Sequence, residues 1–418
     1  MRILHLVHQY VPEHVGGTEL YTRMLASSQS QRGHQVTIFC RRSAAGTGEE
    51  VYTEEGVRVV VAWSGLYGPA RRLLSTVHEP ALIRSLERVL ERSRPELVHI
   101  QHLMGLPAAC TRLLQRRGIP FVITLHDYWW ICANAQLLTH HSHQVCPGPR
   151  AFCNCAHCAL ARAGHSRLWP ALPLLAGTLA WRNQLLQQPL RVAQYLIAPT
   201  QFVRRWYSTQ GIPPHKIVVL PHGIDPPPPA LRASPRADGP VRLAYIGGVA
   251  WQKGIHVVLE ALQGLEEKVE LWIAGDESYD PAYTRRLRAL ATPNVRFLGL
   301  LAHTEVWETL AQADALVVPS LWYETYSLIT HEAFAAHVAV IASRLGALEE
   351  AVRDGIDGLL VPPGDVDGWR AAIVRLVDQP GLLATMRANT RSPMTVAEHV
   401  SRIESLYLAA RSLRQTDD

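Results

Sequence analysis

Two carboxylates eight residues apart, Glu324 and Glu332, are the side chains of this sequence best suited to bind sugar hydroxyls, because each carboxylate offers two acceptor oxygens. The first follows a predicted strand, and the second lies in the helix predicted next. The backbone N–H groups of Tyr326, Ser327 and Leu328 are predicted to open that helix, where they can face a phosphate. Acidic residues are also common at helix N-termini, so this pair alone is equally consistent with a structural role.

A glycine loop with one cation precedes this segment and favours a ligand site. Gly247 ends a predicted strand and lets the backbone approach a ligand closely. Lys253 would supply a point cation for a diphosphate at the start of a helix, unless it is an ordinary surface lysine. Because the spacing is neither G-x-G-x-x-G nor a P-loop, hydride transfer and NTP hydrolysis lose support.

The N-terminal half contributes two further candidates. Gly16 and Gly17 stand where a helical pattern begins, either as a loop beside a ligand or as a plain tight turn. His126 and Asp127 follow the predicted strand Phe121–Thr124, and ligands bind at the carboxyl ends of such strands. The same two side chains would also suit a turn cap.

The elements that must position these residues alternate between short apolar strands and helices. Such strands, nearly continuous in Val, Ile and Leu, predict parallel sheets covered on both faces. The predicted strands are Arg2–His8, Gln35–Cys40, Val57–Trp63, Leu97–Gln101, Phe121–Thr124 and Tyr195–Ala198, then Val241–Ile246, Glu270–Ala274, Val295–Leu298, Ala315–Pro319 and Val338–Ala342. The fold class is therefore α/β, with two doubly wound, Rossmann-like domains.

The length of 418 residues also favours two domains. We predict an N-terminal domain at 1–220, a stiff proline-rich linker at 221–240, a C-terminal domain at 241–393 and a final helix at 394–418. Hydrophobic content of 48% with 18% charged residues excludes a disordered or fibrous protein. We see no signal-peptide pattern and no apolar run of about 20 residues, so the expected location is cytoplasmic.

A segment without acidic residues runs from Tyr128 to Ile224 and carries several arginines. Such a segment should attract anionic lipid headgroups, a phosphate-bearing acceptor or nucleic acid, or it is simply a lopsided surface. Within it, the apolar stretch Leu168–Trp181 is flanked by Arg167 and Arg182, which suits either a membrane interface or a buried helix. We therefore expect peripheral docking on the inner face of a membrane.

Five cysteines crowd into one insertion at about 132–158. They are Cys132, Cys146, Cys153, Cys155 and Cys158. Four of them could bind a structural zinc ion, although the spacing is not a standard finger. Free thiols, disulfides and an iron–sulfur centre remain alternatives, whereas a deaminase site lacks its His-x-Glu partner motif.

The sequence resembles the retaining enzymes of glycosyltransferase family 4, which have the GT-B fold, and the resemblance covers nearly the whole chain. The Glu-x7-Glu element matches Glu324 and Glu332, Pro221–Asp225 is similar to the linker motif of the family, and 341–352 and 354–365 match its donor-domain signature. A subset of similar sequences carries a comparable cysteine insertion.

The resemblance implies two domains that face a cleft, with a C-terminal helix that returns toward the N-terminal domain. It assigns the donor ribose to Glu332, the transferred sugar to Glu324 and His126, and the donor diphosphate to Lys253. Gly16-Gly17 resembles the loop of the family near the donor phosphate and acceptor. Catalysis would need no cofactor, because the leaving phosphate accepts the acceptor proton while the protein positions the reactants and stabilises the departing diphosphate.

The sequence departs from the family pattern at three positions. The arginine that often assists the lysine is replaced by Gly248, and two family glycines are replaced by Ser327 and His337. The expected partners are a nucleotide-sugar donor and a glycan or lipid-linked acceptor. An epimerase or hydrolase on the same fold is the alternative, and a non-catalytic nucleic-acid-binding protein is a more distant one.

Overall fold

The computed structural model describes residues 1–44, 46, 48–65, 75–77, 79–165, 169–232 and 239–415. The chain divides into two compact units. One is built from Met1–His222 together with the C-terminal segment that begins at Val396, and the other from Gly223–Thr395.

The described part of the first unit contains an eight-stranded sheet in the order β3-β4-β2-β1-β5-β6-β7-β8. All its pairs are parallel except β3 with β4. The strands are β1 (Arg2–Leu6), β2 (Gln35–Ser43), β3 (Glu49–Glu54), β4 (Val57–Ser64), β5 (Leu97–Ile100), β6 (Phe121–Thr124), β7 (Tyr195–Ala198) and β8 (Ile217–Val219). Because β1 has a later strand on each side, the strand order reverses at its carboxyl end, where ligands bind in such sheets.

The helices of this unit cover the sheet. They are α1 (Gly17–Gln31), α2 (Pro80–Ser93), α3 (Ala109–Arg116), α4 (Cys153–Arg162), α5 (Leu172–Val192) and α6 (Gln201–Thr209). Helix α2 shows why the sequence folds this way: Pro80 occupies the first turn, and Leu82, Leu86, Val89 and Leu90 recur on one face and are buried.

The second unit contains a six-stranded parallel sheet in its described residues, in the order β11-β10-β9-β12-β13-β14. The strands are β9 (Val241–Ile246), β10 (Val269–Ala274), β11 (Val295–Gly299), β12 (Ala315–Val318), β13 (Ala339–Ser343) and β14 (Gly358–Val361). The helices are α7 (Ile255–Ala261), α8 (Pro281–Leu290), α9 (His303–Gln312), α10 (Leu328–Ala335), α11 (Ala347–Ala351), α12 (Val366–Asp378) and α13 (Pro380–Ala388). The strand order reverses between β9 and β12.

The last helix, α14 (Val396–Gln415), belongs to the first unit although it follows the second in sequence. Its buried residue Tyr407 lies 2.5 Å from His99 Nδ1 in β5, and its His399 lies 2.8 Å from the hydroxyl of Tyr21 in α1. The helix therefore returns to the N-terminal domain, as the resemblance implies. No helix in the described part of the chain is long and apolar enough to cross a membrane.

Candidate functional site

The loops after β9 and β12 lie directly against each other in the second unit. The backbone N–H of Leu321 donates to the carbonyl oxygen of Gln252 over 2.8 Å. Gly254 adopts a left-handed conformation with φ +71°, and a Cβ placed on it would lie 2.0 Å from the carbonyl oxygen of Pro319. Only glycine fits this approach, which places the residues just before it beside the loop that carries Glu324.

Lys253 and Glu324 form a partly buried ion pair at this contact. Lys253 Nζ lies 2.8 Å from Glu324 Oε1, and the same oxygen accepts hydrogen bonds from Ser320 Oγ at 2.7 Å and Trp322 Nε1 at 2.9 Å. Burial alone would raise the pKa of the Glu324 carboxyl, but the charge of Lys253 and these hydrogen bonds hold it below its usual value. Glu324 is therefore ionised at neutral pH, and its Oε2 takes no part in these three contacts.

Lys253 lies close to the start of a helix, as the sequence predicts. Lys253 ends a 3-10 turn, Trp251–Lys253, and Gly254 separates it from α7. The nearby Gly247 donates its N–H to the carbonyl oxygen of Ala274 over 3.0 Å, so the glycine loop is held against the end of β10.

Glu332 lies on the second turn of α10 with 17% of its side chain exposed. Burial raises the pKa of this carboxyl to about 7. Among the described residues, Glu332 forms a long ion pair with the exposed His303, with 3.9 Å between Glu332 Oε1 and His303 Nε2. Glu332 is thus poised to change charge near neutral pH, unlike Glu324.

The predicted helix opening is only partly confirmed, because α10 begins at Leu328 and leaves Tyr326 outside it. The buried Tyr326 ring stacks on His331 with 3.9 Å between centroids. Ser327, the residue before the helix, has φ +62°, and His337 has φ +59°. The resemblance leads one to expect glycine at both positions, and glycine would suit this left-handed backbone, since other residues pay about 1–2 kcal/mol there.

In the first unit, Gly16 immediately precedes α1 and Gly17 is its first residue. A Cβ on Gly16 would lie 2.6 Å from Glu19 Oε2. Burial raises the pKa of the Glu19 carboxyl, and its Oε1 lies 3.6 Å from Nε2 of the buried His8. The glycine therefore makes room for a buried acid, which the sequence interpretation did not place in the site.

His126 donates from Nε2 to Gln101 Oε1 over 2.8 Å. Burial lowers the pKa of His126 to about 3, so the ring is neutral at physiological pH. Its neighbour Asp127 accepts from the backbone N–H of Trp129 at 2.8 Å and lies 3.0 Å from His102 Nε2. Asp127 thus caps a turn, as one of the two interpretations proposed.

Four of the five clustered cysteines interact electrostatically. Cys155 lies close enough to Cys132, Cys146 and Cys158 for these thiols to add to the effect of burial and raise its pKa to about 12. Cys153 is exposed at the start of α4 and takes no part in this effect. All five are free thiols, so the structure contains none of the disulfides considered above.

Amide groups point at these sulfur atoms. Asn134 Nδ2 lies 3.0 Å from Cys158 Sγ, the N–H of His140 lies 3.3 Å from the same sulfur, and Asn154 Nδ2 lies 3.7 Å from Cys146 Sγ. Such N–H donors suit metal-bound thiolates. Nevertheless, no three His, Cys, Asp or Glu side chains in the described ranges are already arranged to hold a metal ion.

Structural zinc therefore stays a prediction. The purified protein should contain about one zinc ion per chain, because the four interacting thiols would complete a tetrahedral set if they close around the metal. Cys155→Ser and Cys158→Ser should lose the metal in elemental analysis, whereas Cys153→Ser, the matched control, should keep it. Metal-free wild-type protein, or equal loss in all three variants, would contradict the prediction. Zinc would cross-link this insertion and would take no part in sugar transfer.

Comparisons with known proteins identify the fold. A family model described as "Glycosyltransferase Family 4" matches residues 15–227, and one described as "Glycosyl transferases group 1" matches residues 240–379. The chain has a TM-score of 0.75 with a sucrose-phosphate synthase from Thermosynechococcus elongatus, at 19% identity over 98% of this chain and 99% of that one. The Anabaena protein HepE, solved with UDP-glucose, gives a TM-score of 0.67 at 17% identity, over 97% and 99% of the two chains. The fold is thus GT-B, as predicted.

Curated relatives support the same conclusion. The chain is 28% identical to a glycogen synthase of Mycobacterium tuberculosis, covering 94% of this chain and 90% of the relative. It is 29% identical to a phosphatidyl-myo-inositol mannosyltransferase of Mycolicibacterium smegmatis, covering 96% and 89%. Neither the epimerase or hydrolase alternative nor a nucleic-acid-binding protein finds support in these matches. Because the first family model covers more than half of the chain, this protein belongs to glycosyltransferase family 4 and is an enzyme that transfers sugar.

Proposed function

We propose that this enzyme is a retaining transferase that moves a hexose from a nucleoside diphosphate sugar to a glycan or lipid-linked acceptor. The observation that carries the proposal is the Lys253–Glu324 pair, held at the point where the strand order of the second sheet reverses. Relatives named as a glycogen synthase and a complex with UDP-glucose support a nucleotide-sugar donor.

In this proposal, each site residue contacts a different part of the donor. Lys253 supplies a cation beside the leaving diphosphate, where negative charge grows in the transition state. Glu324, fixed through Oε1 by three donors, offers Oε2 to a hydroxyl of the transferred sugar. Glu332 accepts hydrogen bonds from the ribose, and the neutral His126 is proposed to bind a sugar hydroxyl. The protein then orients the reactants, and the leaving phosphate takes the acceptor proton.

A ligand screen tests the donor class directly. UDP-, GDP- and ADP-sugars are compared by their effect on the unfolding temperature, since a ligand that binds only the native state raises it. One nucleotide class should stabilise the wild-type protein and fail to stabilise Lys253→Ala. Absence of any shift at millimolar ligand would contradict a nucleotide-sugar donor.

Truncation of Glu332 should weaken donor binding by about 1–3 kcal/mol, because it removes a charged acceptor from partly buried hydroxyls. Calorimetric titration of Glu332→Ala with the donor found in the screen measures this. Glu267→Ala is the matched control, since Glu267 is an exposed acid of the same unit, between α7 and β10. Unchanged affinity in Glu332→Ala would contradict the role of Glu332.

Donor binding should also depend on pH through Glu332. With a pKa of about 7, the carboxyl is neutral below that pH and ionised above it. Ribose hydroxyls donate to the ionised form, so the donor binds tighter as pH rises. The apparent Kd should fall about tenfold from pH 6 to pH 8, following the ionised fraction. Glu332→Gln should flatten this profile, and a pH-independent Kd in the wild type would contradict the assignment.

A membrane-bound acceptor is a finer part of the proposal. The outer face of α5 exposes 79% of Leu174 and 44% of Trp181, and exposed Arg162 and Arg191 lie in the same acid-free segment. The relative named as a phosphatidyl-myo-inositol mannosyltransferase supports a lipid-linked acceptor and cell-envelope glycan synthesis. Apolar side chains beside cations suit an anionic membrane surface.

The two arginines that flank this stretch, Arg167 and Arg182, do not provide the expected membrane contacts. Arg182 is buried, and its Nη2 donates to the carbonyl oxygen of Trp129 over 2.9 Å, so it cannot contact lipid. Arg167 and Leu168 lie outside the described residues. Docking on an anionic membrane would therefore depend on the face of α5 and on the exposed arginines.

Vesicle flotation tests this docking. The wild type should float with anionic vesicles and less with neutral ones, and Leu174→Glu should reduce flotation. Leu408→Glu is the matched control, because Leu408 is 54% exposed on α14. Equal flotation with both vesicle types, or equal effects of the two substitutions, would contradict the docking.

A further inference from the structure

Buried polar groups at the carboxyl ends of β1 and β5, together with the half-buried His126 after β6, form a continuous chain of hydrogen bonds. His126 Nε2 lies 2.8 Å from Gln101 Oε1, Gln101 Nε2 lies 3.1 Å from His5 Nδ1, and His5 Nε2 lies 2.9 Å from Gln29 Oε1. These residues come from three strand ends and from α1. The chain therefore links His126 to the interior of the N-terminal unit.

The chain continues to the C-terminal helix. Gln29 Nε2 donates to the hydroxyl oxygen of Tyr407 over 3.4 Å, and that oxygen lies 2.5 Å from His99 Nδ1. His99 Nε2 in turn lies 2.7 Å from Thr124 Oγ1. The last link thus returns to β6, two residues before His126.

The chemistry of the two glutamines gives the chain one direction. An amide oxygen only accepts, so His126 must carry its proton on Nε2 to donate to Gln101. The amide nitrogen of Gln101 only donates, so His5 Nδ1 must accept and His5 Nε2 must donate to Gln29. Tyr407 accepts from Gln29 and can pass its own proton toward His99 Nδ1. The tautomers of His126 and His5 are thereby fixed, and Tyr407 and His99 can continue the same direction.

The three histidines remain uncharged, as this direction requires. Burial lowers the pKa of His5 to about 4 and of His126 to about 3, and it holds that of His99 well below its usual value. Around His126, the charge of Asp127 acts in the opposite sense, whereas His102 and His399 add to the effect of burial. The rings of Tyr21 and His222 also face His126, at 4.9 and 5.4 Å between centroids.

We propose that Gln101 is a positioning residue that locks His126 in its Nε2–H tautomer, so that His126 Nδ1 can only accept a hydrogen bond. Any group that meets Nδ1 must then donate. This proposal rests on the proposed function for its consequence: a ligand hydroxyl that meets Nδ1 donates its hydrogen bond to it, and His126 does not supply a proton. The lock itself is a property of the protein without ligand.

The substitution Gln101→Glu tests the lock. A carboxylate of the same length still accepts from His126 Nε2, but its charge stabilises the imidazolium form, which should raise the titration midpoint of His126 by about one pH unit or more. Nitrogen NMR of protein labelled at its histidine rings reports the tautomer and the midpoint, and His126→Gln identifies the signal. In activity assays of Gln101→Glu, kcat should fall at acidic pH, with a midpoint equal to the titration midpoint of His126. The KM for the donor should be unchanged.

Gln194→Glu is the matched control. Gln194 Oε1 accepts from the backbone N–H of Phe121 over 2.8 Å, at the end of β6 opposite to His126. The same change from amide to acid at this position should leave the titration of His126 and the pH profile as in the wild type. If Gln101→Glu does not fold, Gln101→Met removes the acceptor instead and should give a mixture of both His126 tautomers.

The outcomes separate the lock from the proposed function. An Nδ1–H tautomer of His126 in the wild type would overturn the lock, and so would an unchanged midpoint in Gln101→Glu or a single Nε2–H tautomer in Gln101→Met. If the NMR results are as expected but no nucleotide sugar is turned over, the lock stands and the proposed function fails. If transfer is observed and Gln101→Glu and Gln194→Glu have the same pH profile, the proposed function stands and the lock is wrong.

Discussion

Replacement of Glu324 by glutamine is expected to lower kcat by about 10²–10³, the usual loss when a preorganised polar contact to the reacting group is removed. Glutamine keeps the size of the side chain but removes the negative charge that anchors Lys253 at 2.8 Å. The cation beside the diphosphate would then lose its fixed position. Steady-state kinetics with the donor from the screen give kcat and KM separately, and we expect the loss to fall mainly on kcat.

The control for this experiment is Glu267→Gln, which removes an exposed charge from the same unit. It should leave kcat within a factor of two, roughly the scatter of surface substitutions. Thermal unfolding of Glu324→Gln shows whether the variant is still folded. A folded Glu324→Gln enzyme with wild-type kcat would remove Glu324 from the mechanism.

The second large effect is expected from Gly254→Ala, which should destabilise the protein by about 3 kcal/mol or more. The new Cβ would meet the carbonyl oxygen of Pro319 at 2.0 Å, and φ +71° adds backbone strain. If the loop moves to relieve this contact, Lys253 leaves Glu324, so kcat should fall as well. Urea unfolding and steady-state kinetics measure the two consequences.

Gly299→Ala separates the two causes. Gly299 has nearly the same backbone, φ +72°, but a Cβ there would meet nothing within 4 Å. Its substitution should therefore cost only the backbone term, about 1 kcal/mol, and should leave kcat unchanged. Equal destabilisation by the two substitutions would show that the close approach at Gly254 contributes nothing.

The strands near the site were predictable from the sequence because they are short and apolar throughout. Strand β3 was not, since its sequence Glu49–Glu54 is mostly polar and its side chains are mostly exposed or half-buried at the sheet edge. Such an edge strand gives no signal of burial. Strand β14 was also missed, although it is buried.

Contacts between distant residues were beyond sequence reasoning. Lys253 and Glu324 could each be singled out by type and spacing, but their ion pair joins positions 71 residues apart. The contact between His99 and Tyr407 spans 308 residues and involves two residues that no local pattern marks. The αL positions of Ser327 and His337 were visible only as departures from a family pattern, and the structure supplies their cause.

The discontinuous first unit has a consequence for synthesis on the ribosome. Its core needs Tyr407 and His399, which are translated after the whole of the second unit. At the usual elongation rates, the 173 residues of the second unit, Gly223–Thr395, take about 9–35 s to make. During that interval the nascent N-terminal sheet lacks its final helix, whereas the second unit, contiguous in sequence, can complete its fold first.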